Sequence, residues 1–159
     1  MRAIGLAFAA LCMACSPQGQ AETAAAAPQA AAVHPVSGLE VIPLTVTSGG
    51  KRHAFRVEVA ATGPQQSRGL MFRTELPPDE GMIFPYQSPQ ILGFWMKNTP
   101  LPLDIIFIDE DGRIINIAAE TTPYSLDSVY SERPAMAVLE IAGGRAAELG
   151  IKPGDKVEW

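Results

Sequence analysis

Apolar and polar residues alternate in two neighbouring segments of the chain, LEVIPLTVTS (39–48) and KRHAFRVEVA (51–60), with Gly49-Gly50 between them. Alternation with a period of two is typical of a half-buried β-strand, and paired glycines favour a tight turn. The pattern therefore predicts a β-hairpin, in which Val57 and Glu58 lie on opposite faces.

A second pattern, LDIIFIDEDGRIINIAAE (103–120), consists of two apolar segments joined by the turn-forming residues Asp-Glu-Asp-Gly. It predicts another hairpin. Between Ile105 and Ile108 both faces of the first segment are apolar. A strand of this kind is covered on both sides, so we expect it near the centre of a sheet.

The remaining segments predict short strands and two short helices. Thr62 and Gln65 form a capping box, which predicts a helix over about 64–73, and GGRAAELG (143–150) predicts a second helix. Further strands are predicted at GMIFPYQ (81–87), LGFWMKN (92–98), AMAVLEI (135–141) and the end of IKPGDKVEW (151–159). Together these elements predict a mostly β protein, a compact β-barrel or sandwich-like domain of about seven or eight short strands with two short helices.

The N-terminus has the features of an export signal. Residues 1–14 carry one basic residue before an apolar run that is too short to span a bilayer. Cys15 follows a small residue, as in bacterial lipoproteins, so residues 1–15 are predicted to be a signal peptide with a lipidated cysteine. The alternative is ordinary cleavage after Ala21, which leaves a soluble periplasmic protein. Both predictions place the chain outside the cytoplasm, in the periplasm or cell envelope.

Composition separates a linker from a folded region. Residues 16–38 are rich in alanine and contain prolines, which predicts a flexible tether, and residues 39–159 predict a single β-rich domain. Both cysteines lie in the N-terminal leader. The predicted domain therefore has no disulfide, and a packed apolar core has to stabilise it.

Charge and residue types exclude several classes of function. The net charge is −5 and no basic run is present, so nucleic-acid binding is not expected. Without a basic amphipathic helix, the lipid is the only predicted membrane contact. His53 is the only histidine in 39–159, so neither a metal site, a cofactor nor a catalytic imidazole is predicted. The sequence leaves the oligomeric state open.

Asp104 is the first candidate for a binding site, because it starts a strand that is apolar on both faces. A carboxylate drawn into such an interior loses hydration unless it is paired. Its candidate partners are Arg68 and Lys97, with Asn98 as a neutral donor. The alternative is that Asp104 accepts hydrogen bonds from its own turn, 99–103, and only fixes the entry to the strand.

Trp95 and Lys97 are expected on the same face of their strand, opposite Phe94 and Met96. An aromatic surface with hydrogen-bond donors around it can hold a small polar or anionic ligand. The second possibility is that Trp95 packs in the core, as many tryptophans do. Phe72 is a candidate for the other wall of such a cleft.

The chain resembles a known family in three long motifs that occur in the same order. They are RGLMFRTELPPDEGMIFPY (68–86), FWMKNTPLPLDIIFIDEDGRI (94–114) and AVLEIAGGRAAELGIKPGDKV (137–157). These motifs are similar to those of the bacterial and archaeal domain-of-unknown-function family 192. The resemblance implies a compact, mostly β domain that is often exported and has no established activity.

Three functions follow as hypotheses. The first is a non-catalytic, lipid-anchored binding module for a small anionic or carbohydrate-like ligand of the envelope, bound by Arg68, Phe72, Trp95, Lys97, Asn98 and Asp104. The second is a hydrolase of an envelope polymer, in which Asp104 and Glu140 are paired carboxylates. The third is an accessory subunit that docks a protein partner through a flat apolar patch around Trp95.

Overall fold

The computed structural model describes residues 32–159, which form ten β-strands and two short helices. Three of the strands have only two residues, which explains the excess over the predicted number. The elements are β1 (Ala32–Val33), β2 (Glu40–Ser48), β3 (Lys51–Val59), α1 (Gly63–Arg68), β4 (Glu80–Gln90), β5 (Gly93–Phe94), β6 (Leu103–Ile108), β7 (Ile114–Ala118), β8 (Val129–Tyr130), β9 (Ala135–Ala142), α2 (Arg145–Leu149) and β10 (Lys156–Glu158).

Eight strands form one sheet in the order β1-β2-β3-β4-β9-β6-β7, with β10 also paired to β2, and β5 and β8 form a separate pair. The β3–β4 pair is parallel, so the chain has to cross over between these strands, and α1 lies in that connection. The other pairs are antiparallel. The mostly β prediction is confirmed, in its sandwich-like form and not as a closed barrel.

Local sequence signals predicted several elements correctly. Gly49-Gly50 joins β2 to β3 in a hairpin. The Asp-Glu-Asp-Gly turn joins β6 to β7. The capping box of α1 is present, since the Thr62 side chain accepts from the Gln65 N–H and the Gln65 side chain from the Thr62 N–H. The helix ends at Arg68 and not at residue 73, because Gly69 adopts a φ of +48°.

Two apolar clusters cover the two faces of the sheet. All six residues of β6 are buried, and β6 lies between β9 and β7, so the predicted central strand is confirmed. Ile106 and Ile108 belong to the first cluster, and Ile105 and Phe107 to the second. Because side chains alternate between the two faces of a strand, this single strand contributes to both cores.

The described chain begins within the segment that composition assigned to the tether. There, β1 pairs with β2, and the side chains of His34 and Ser37 contact the buried Glu58. The predicted signal peptide and Cys15 lie outside the described residues. Within 32–159, no helix combines the length and apolar character needed to cross a membrane.

Candidate functional site

A cavity of about 330 Å³ opens between α1, the segment after β5 and one face of the main sheet. Arg68, Trp95 and Lys97, three of the predicted ligand-binding residues, line it together. The strands β4 and β9 supply Phe84, Tyr86 and Glu140. The volume lies within the range of small-molecule binding sites, about 300–1,000 Å³. We refer to this cavity below as the Trp95 cavity.

The rim of the Trp95 cavity carries two cations. Lys97 Nζ lies 5.0 Å from the centre of the Trp95 ring, and the Arg68 guanidinium carbon lies 5.9 Å from the centre of the Phe72 ring. Both distances are those of cation–π contacts. Within residues 32–159 no carboxylate pairs with either cation, so their charge remains available to an anion from solution.

The alternation predicted around Trp95 is present, although the strand is shorter than expected. Met96 is buried and Phe94 is half-buried, whereas 46% of the Trp95 surface is exposed, so Trp95 is not a core residue. The strand LGFWMKN was predicted over 92–98, but β5 ends at Phe94. It stops there because the chain bends into a turn in which the Thr99 N–H donates to the Met96 carbonyl at 3.0 Å.

Phe72 and Asn98 are placed beside the Trp95 cavity but are not among its lining residues. Both have positive φ angles, 65° and 55°, which residues other than glycine rarely adopt. The Phe72 N–H donates to the Asn98 carbonyl at 2.8 Å, and so it ties the end of α1 to the Lys97 segment. Backbone strain of this kind costs about 1–3 kcal/mol per residue and often occurs near functional sites.

Asp104 does not belong to this site, which corrects the prediction. Its side chain is fully buried, and it accepts backbone hydrogen bonds from Glu120 (2.8 Å), Gly144 (2.9 Å) and Ala146 (2.8 Å). Neither Arg68 nor Lys97 pairs with it. The alternative of hydrogen bonds from its own turn is also wrong. Asp104, at the start of β6, instead accepts hydrogen bonds from the first turn of α2 and fixes its position.

The pairing of β6 with β9 excludes the predicted carboxylate pair. Glu140 is opposite Ile105, and Asp104 is opposite Ile141. Because neighbouring residues of a strand point to opposite faces, Asp104 lies with the first apolar cluster and Glu140 with the second. The two carboxyl groups therefore cannot act on one bond from two sides.

Glu140 forms the floor of the Trp95 cavity. Only 5% of its surface is exposed, yet it is among the lining residues. Burial raises the pKa of Glu140 to about 8. The carboxyl group is therefore mostly protonated at neutral pH, when it carries no charge and can donate a hydrogen bond.

Tyr86 is a residue of the site that sequence analysis missed. It is half-buried on β4 and lines the same cavity. Burial, and then the nearby Glu140, raise the pKa of Tyr86 above its ordinary value of 10.0, so its hydroxyl stays neutral and can donate or accept. The β4–β9 register shifts directly after the neighbouring Pro85, and a proline within a strand favours such an irregularity, so Pro85 is the signal in the sequence that could have drawn attention to this position.

Comparison with known families identifies the chain. A model of the family DUF192, described as "Uncharacterized ACR", matches residues 44–159. The chain belongs to DUF192. This confirms the resemblance found in the sequence, and the name of the family states no activity.

Two crystal structures are similar to this DUF192 protein. One is a protein of unknown function from Novosphingobium aromaticivorans, 57% identical, with a TM-score of 0.80 over 83% of this chain and 94% of that chain. The other, from Sinorhizobium meliloti, is described as a candidate transcription regulator and is 37% identical, with a TM-score of 0.74 over 76% of this chain and 94% of that chain. No curated protein matches the chain.

The cavity of this DUF192 protein is lined by charged, polar and aromatic side chains. It combines two cations, an exposed indole, a tyrosine hydroxyl and a buried carboxyl group. Within the described residues, His, Cys, Asp and Glu side chains form no group of three or more that could hold a metal ion. The side chains of the Trp95 cavity can bind an oxyanion and donate hydrogen bonds to it.

Proposed function

We propose that this DUF192 domain is a non-catalytic binding module for a small anionic or carbohydrate-like molecule. The observation that supports this is the convergence of Arg68, Trp95 and Lys97 on one cavity of about 330 Å³. Arg68 and Lys97 attract the anionic group of the ligand, and Trp95 offers an apolar wall. A concave site fits a small ligand better than the flat apolar patch that a docking subunit requires.

Two features of the rim favour an anionic ligand. Arg68 and Lys97 are both exposed, and no carboxylate of the described residues neutralises them. Hydrogen bonds from such cations to carboxylate or phosphate oxygens are roughly twice as strong as hydrogen bonds between neutral groups. The Trp95 contact holds the Lys97 ammonium group near the cavity before a ligand arrives.

We further propose that the protein acts in the cell envelope, anchored through a lipid on Cys15, and that its ligand is an envelope molecule. The alternative is a soluble periplasmic form cleaved after Ala21. Metabolic labelling with a palmitate analogue distinguishes these forms. The anchored form predicts a labelled protein in the membrane fraction and loss of both label and membrane association in Cys15→Ala. An unlabelled wild-type protein would contradict the anchor.

A thermal-shift screen tests the binding function. The purified chain is screened against small carboxylates, phosphates, monosaccharides and sugar acids, and hits are repeated with Lys97→Ala and Arg68→Ala. A ligand present at 100 times its Kd stabilises the folded state by about 2.7 kcal/mol and so raises the melting temperature. Both variants are expected to reduce the shift, whereas Lys152→Ala, an exposed lysine outside the cavity, leaves it unchanged.

Two results would count against the binding module. The first is a screen in which no compound raises the melting temperature of the parent chain. The second is a set of hits whose shifts are as large in Lys97→Ala and Arg68→Ala as in the parent, because such ligands bind elsewhere.

A further inference from the structure

The carboxyl group of Glu140 lies at the floor of the Trp95 cavity without a partner among the described residues. Only 5% of the residue is exposed, and within 32–159 no hydrogen bond to its side chain offsets the burial. Its oxygens are not sealed in, since Nε2 of His53 is the one fully enclosed side-chain atom of these residues that lacks a partner. No Arg or Lys nitrogen of these residues lies within 4.0 Å of it, although Arg68 and Lys97 line the same cavity. Buried polar side chains almost always have a partner, so this group is open to a ligand.

The elements around Glu140 supply cations and neutral groups but no second acid. The neighbouring strand residues Met82 and Ile105 are apolar. The titratable or charged side chains that line the cavity from the other elements are Arg68 of α1, Tyr86 of β4 and Lys97 of the segment after β5. An ammonium group would be repelled by two cations on its way to the floor, whereas an anion would be attracted.

We propose that the Trp95 cavity selects a sugar acid, whose carboxylate binds Arg68 and Lys97 at the rim while a ring or hydroxyl oxygen accepts a hydrogen bond from the protonated Glu140 carboxyl group. This inference deepens the proposed binding function and depends on it. Trp95 then faces the apolar side of the sugar ring. The complex forms with the proton on Glu140, so removal of that proton weakens binding.

The expected pH dependence follows from the pKa of about 8 that burial gives Glu140. If only the protonated form binds, the apparent Kd is inversely proportional to the protonated fraction, which falls about tenfold between pH 7 and pH 9, so the apparent Kd rises about tenfold. Tyr86, whose pKa is raised above 10.0, stays neutral at both pH values.

Three sugars with the same ring skeleton test the ligand class by calorimetry on the purified chain. They are D-glucuronate, D-glucose and D-glucosamine, which are anionic, neutral and cationic near pH 7. We expect D-glucuronate to bind most tightly and to lose about tenfold in affinity between pH 7 and pH 9. Tighter binding of D-glucosamine, or D-glucuronate affinity that is constant or rises with pH, would overturn the assignment.

Variants at the floor test the role of Glu140 separately. Glu140→Gln keeps a neutral donor, so we expect D-glucuronate affinity near that of the parent at pH 7 and the same affinity at pH 9. Glu140→Leu removes the donor and is expected to abolish binding, and a melting curve checks that both variants fold. Glu132→Gln, an exposed residue outside the cavity, is the matched control and keeps the parent's pH dependence.

The outcomes separate this inference from the proposed function. If Glu140→Gln retains the tenfold loss of D-glucuronate affinity between pH 7 and pH 9, another group titrates. That result would reject the role of Glu140. A screening hit that is sensitive to Lys97→Ala but is not a sugar acid, together with no binding of D-glucuronate, would leave the binding module in place and reject the sugar-acid assignment. The absence of any ligand in the screen would reject both.

Discussion

The ammonium group of Lys97 lies over the Trp95 ring, 5.0 Å from its centre, on the exposed rim of the cavity. In an exposed position such a contact contributes about 0.5–1 kcal/mol. An anion that binds Lys97 competes with the indole for the ammonium group. The electronic environment of Trp95 therefore depends on whether the cavity is occupied.

Intrinsic fluorescence is expected to report ligand binding at Trp95. The chain has two tryptophans, Trp95 and Trp159, so Trp159→Phe leaves a single emitter. Addition of a ligand that raises the melting temperature should change the intensity or wavelength of its emission in a saturable manner. Trp95→Phe, which retains Trp159, is the control and should show no change. Equal responses from both variants would place the ligand elsewhere.

The stability of the protein is expected to decrease from acidic to alkaline pH because Glu140 loses its proton. Burial raises the pKa of this group from 4.5 to about 8, so the folded state holds the proton more tightly than the unfolded state. The stabilisation is complete below about pH 4.5 and is lost as pH rises through about 8. The free energy of unfolding of Glu140→Gln, measured by urea denaturation, should equal that of the parent near pH 4.5. Near pH 9 it should exceed that of the parent by on the order of a few kcal/mol. A constant difference across this range would contradict the shift.

Asp104 is expected to be a structural residue whose loss affects folding and not ligand choice. Asp104→Ala leaves three backbone N–H groups, the buried one of Ala146 and the part-buried ones of Glu120 and Gly144, without their acceptor. A buried unpaired group costs about 1–3 kcal/mol and the part-buried groups add to this cost, so we expect a loss of about 3 kcal/mol or more in denaturant unfolding. Asp127→Ala, at an exposed position, should stay within about 0.5 kcal/mol of the parent. A loss below about 1 kcal/mol for Asp104→Ala would contradict the hydrogen-bond network.

Removal of one partner of the ion pair between Arg73 and Glu58 is expected to destabilise the protein strongly. Arg73 Nη2 donates to both Glu58 carboxylate oxygens, at 2.8 and 2.7 Å, and both side chains are nearly buried. Arg73→Met leaves a buried carboxylate without its cation, which costs about 3–5 kcal/mol. The double variant Arg73→Met with Glu58→Gln should regain part of that loss.

The exposed pair between Arg52 and Glu158 provides the control for this measurement. Its atoms are 4.0 Å apart, and the side chains are 69% and 54% exposed. Surface pairs of this kind contribute about 0–1 kcal/mol, so Arg52→Ala should change the free energy of unfolding very little. Similar losses from Arg73→Met and Arg52→Ala would show that burial does not strengthen the Arg73–Glu58 pair.

The elements that sequence analysis predicted correctly depend on residues close together along the chain. The Thr62–Gln65 capping box spans one helical turn, and the turn over 109–112 joins two strands that are adjacent in sequence. Alternation also placed Trp95 and Lys97 on one face, opposite Met96, since only immediate neighbours enter that inference. It left open which of the two faces points outward. The predicted helix over about 64–73 extends past the end of α1, because Gly69, which lies inside that range, is the C-cap of the helix.

The candidate site was predictable only in part, because it depends on contacts between distant strands. The donors to Asp104 are 16, 40 and 42 residues away along the sequence, so no local pattern could predict them. Glu140 is the only charged residue of a strand that is apolar on both faces. Its direction is fixed by its pairing with Ile105, which follows from the order of strands in the sheet.

The crossover that makes β3 and β4 parallel has a consequence for how the site can diversify. It places Arg68 on a connecting helix, and Lys97 likewise follows a short strand, whereas Glu140 is held between β4 and β6. In the proposed binding module, exchange of these loops would change the ligand preference, while the sheet would keep Glu140 in place. In an engineered sensor, the connecting segments would select the ligand, and Glu140 would set the pH at which it is released.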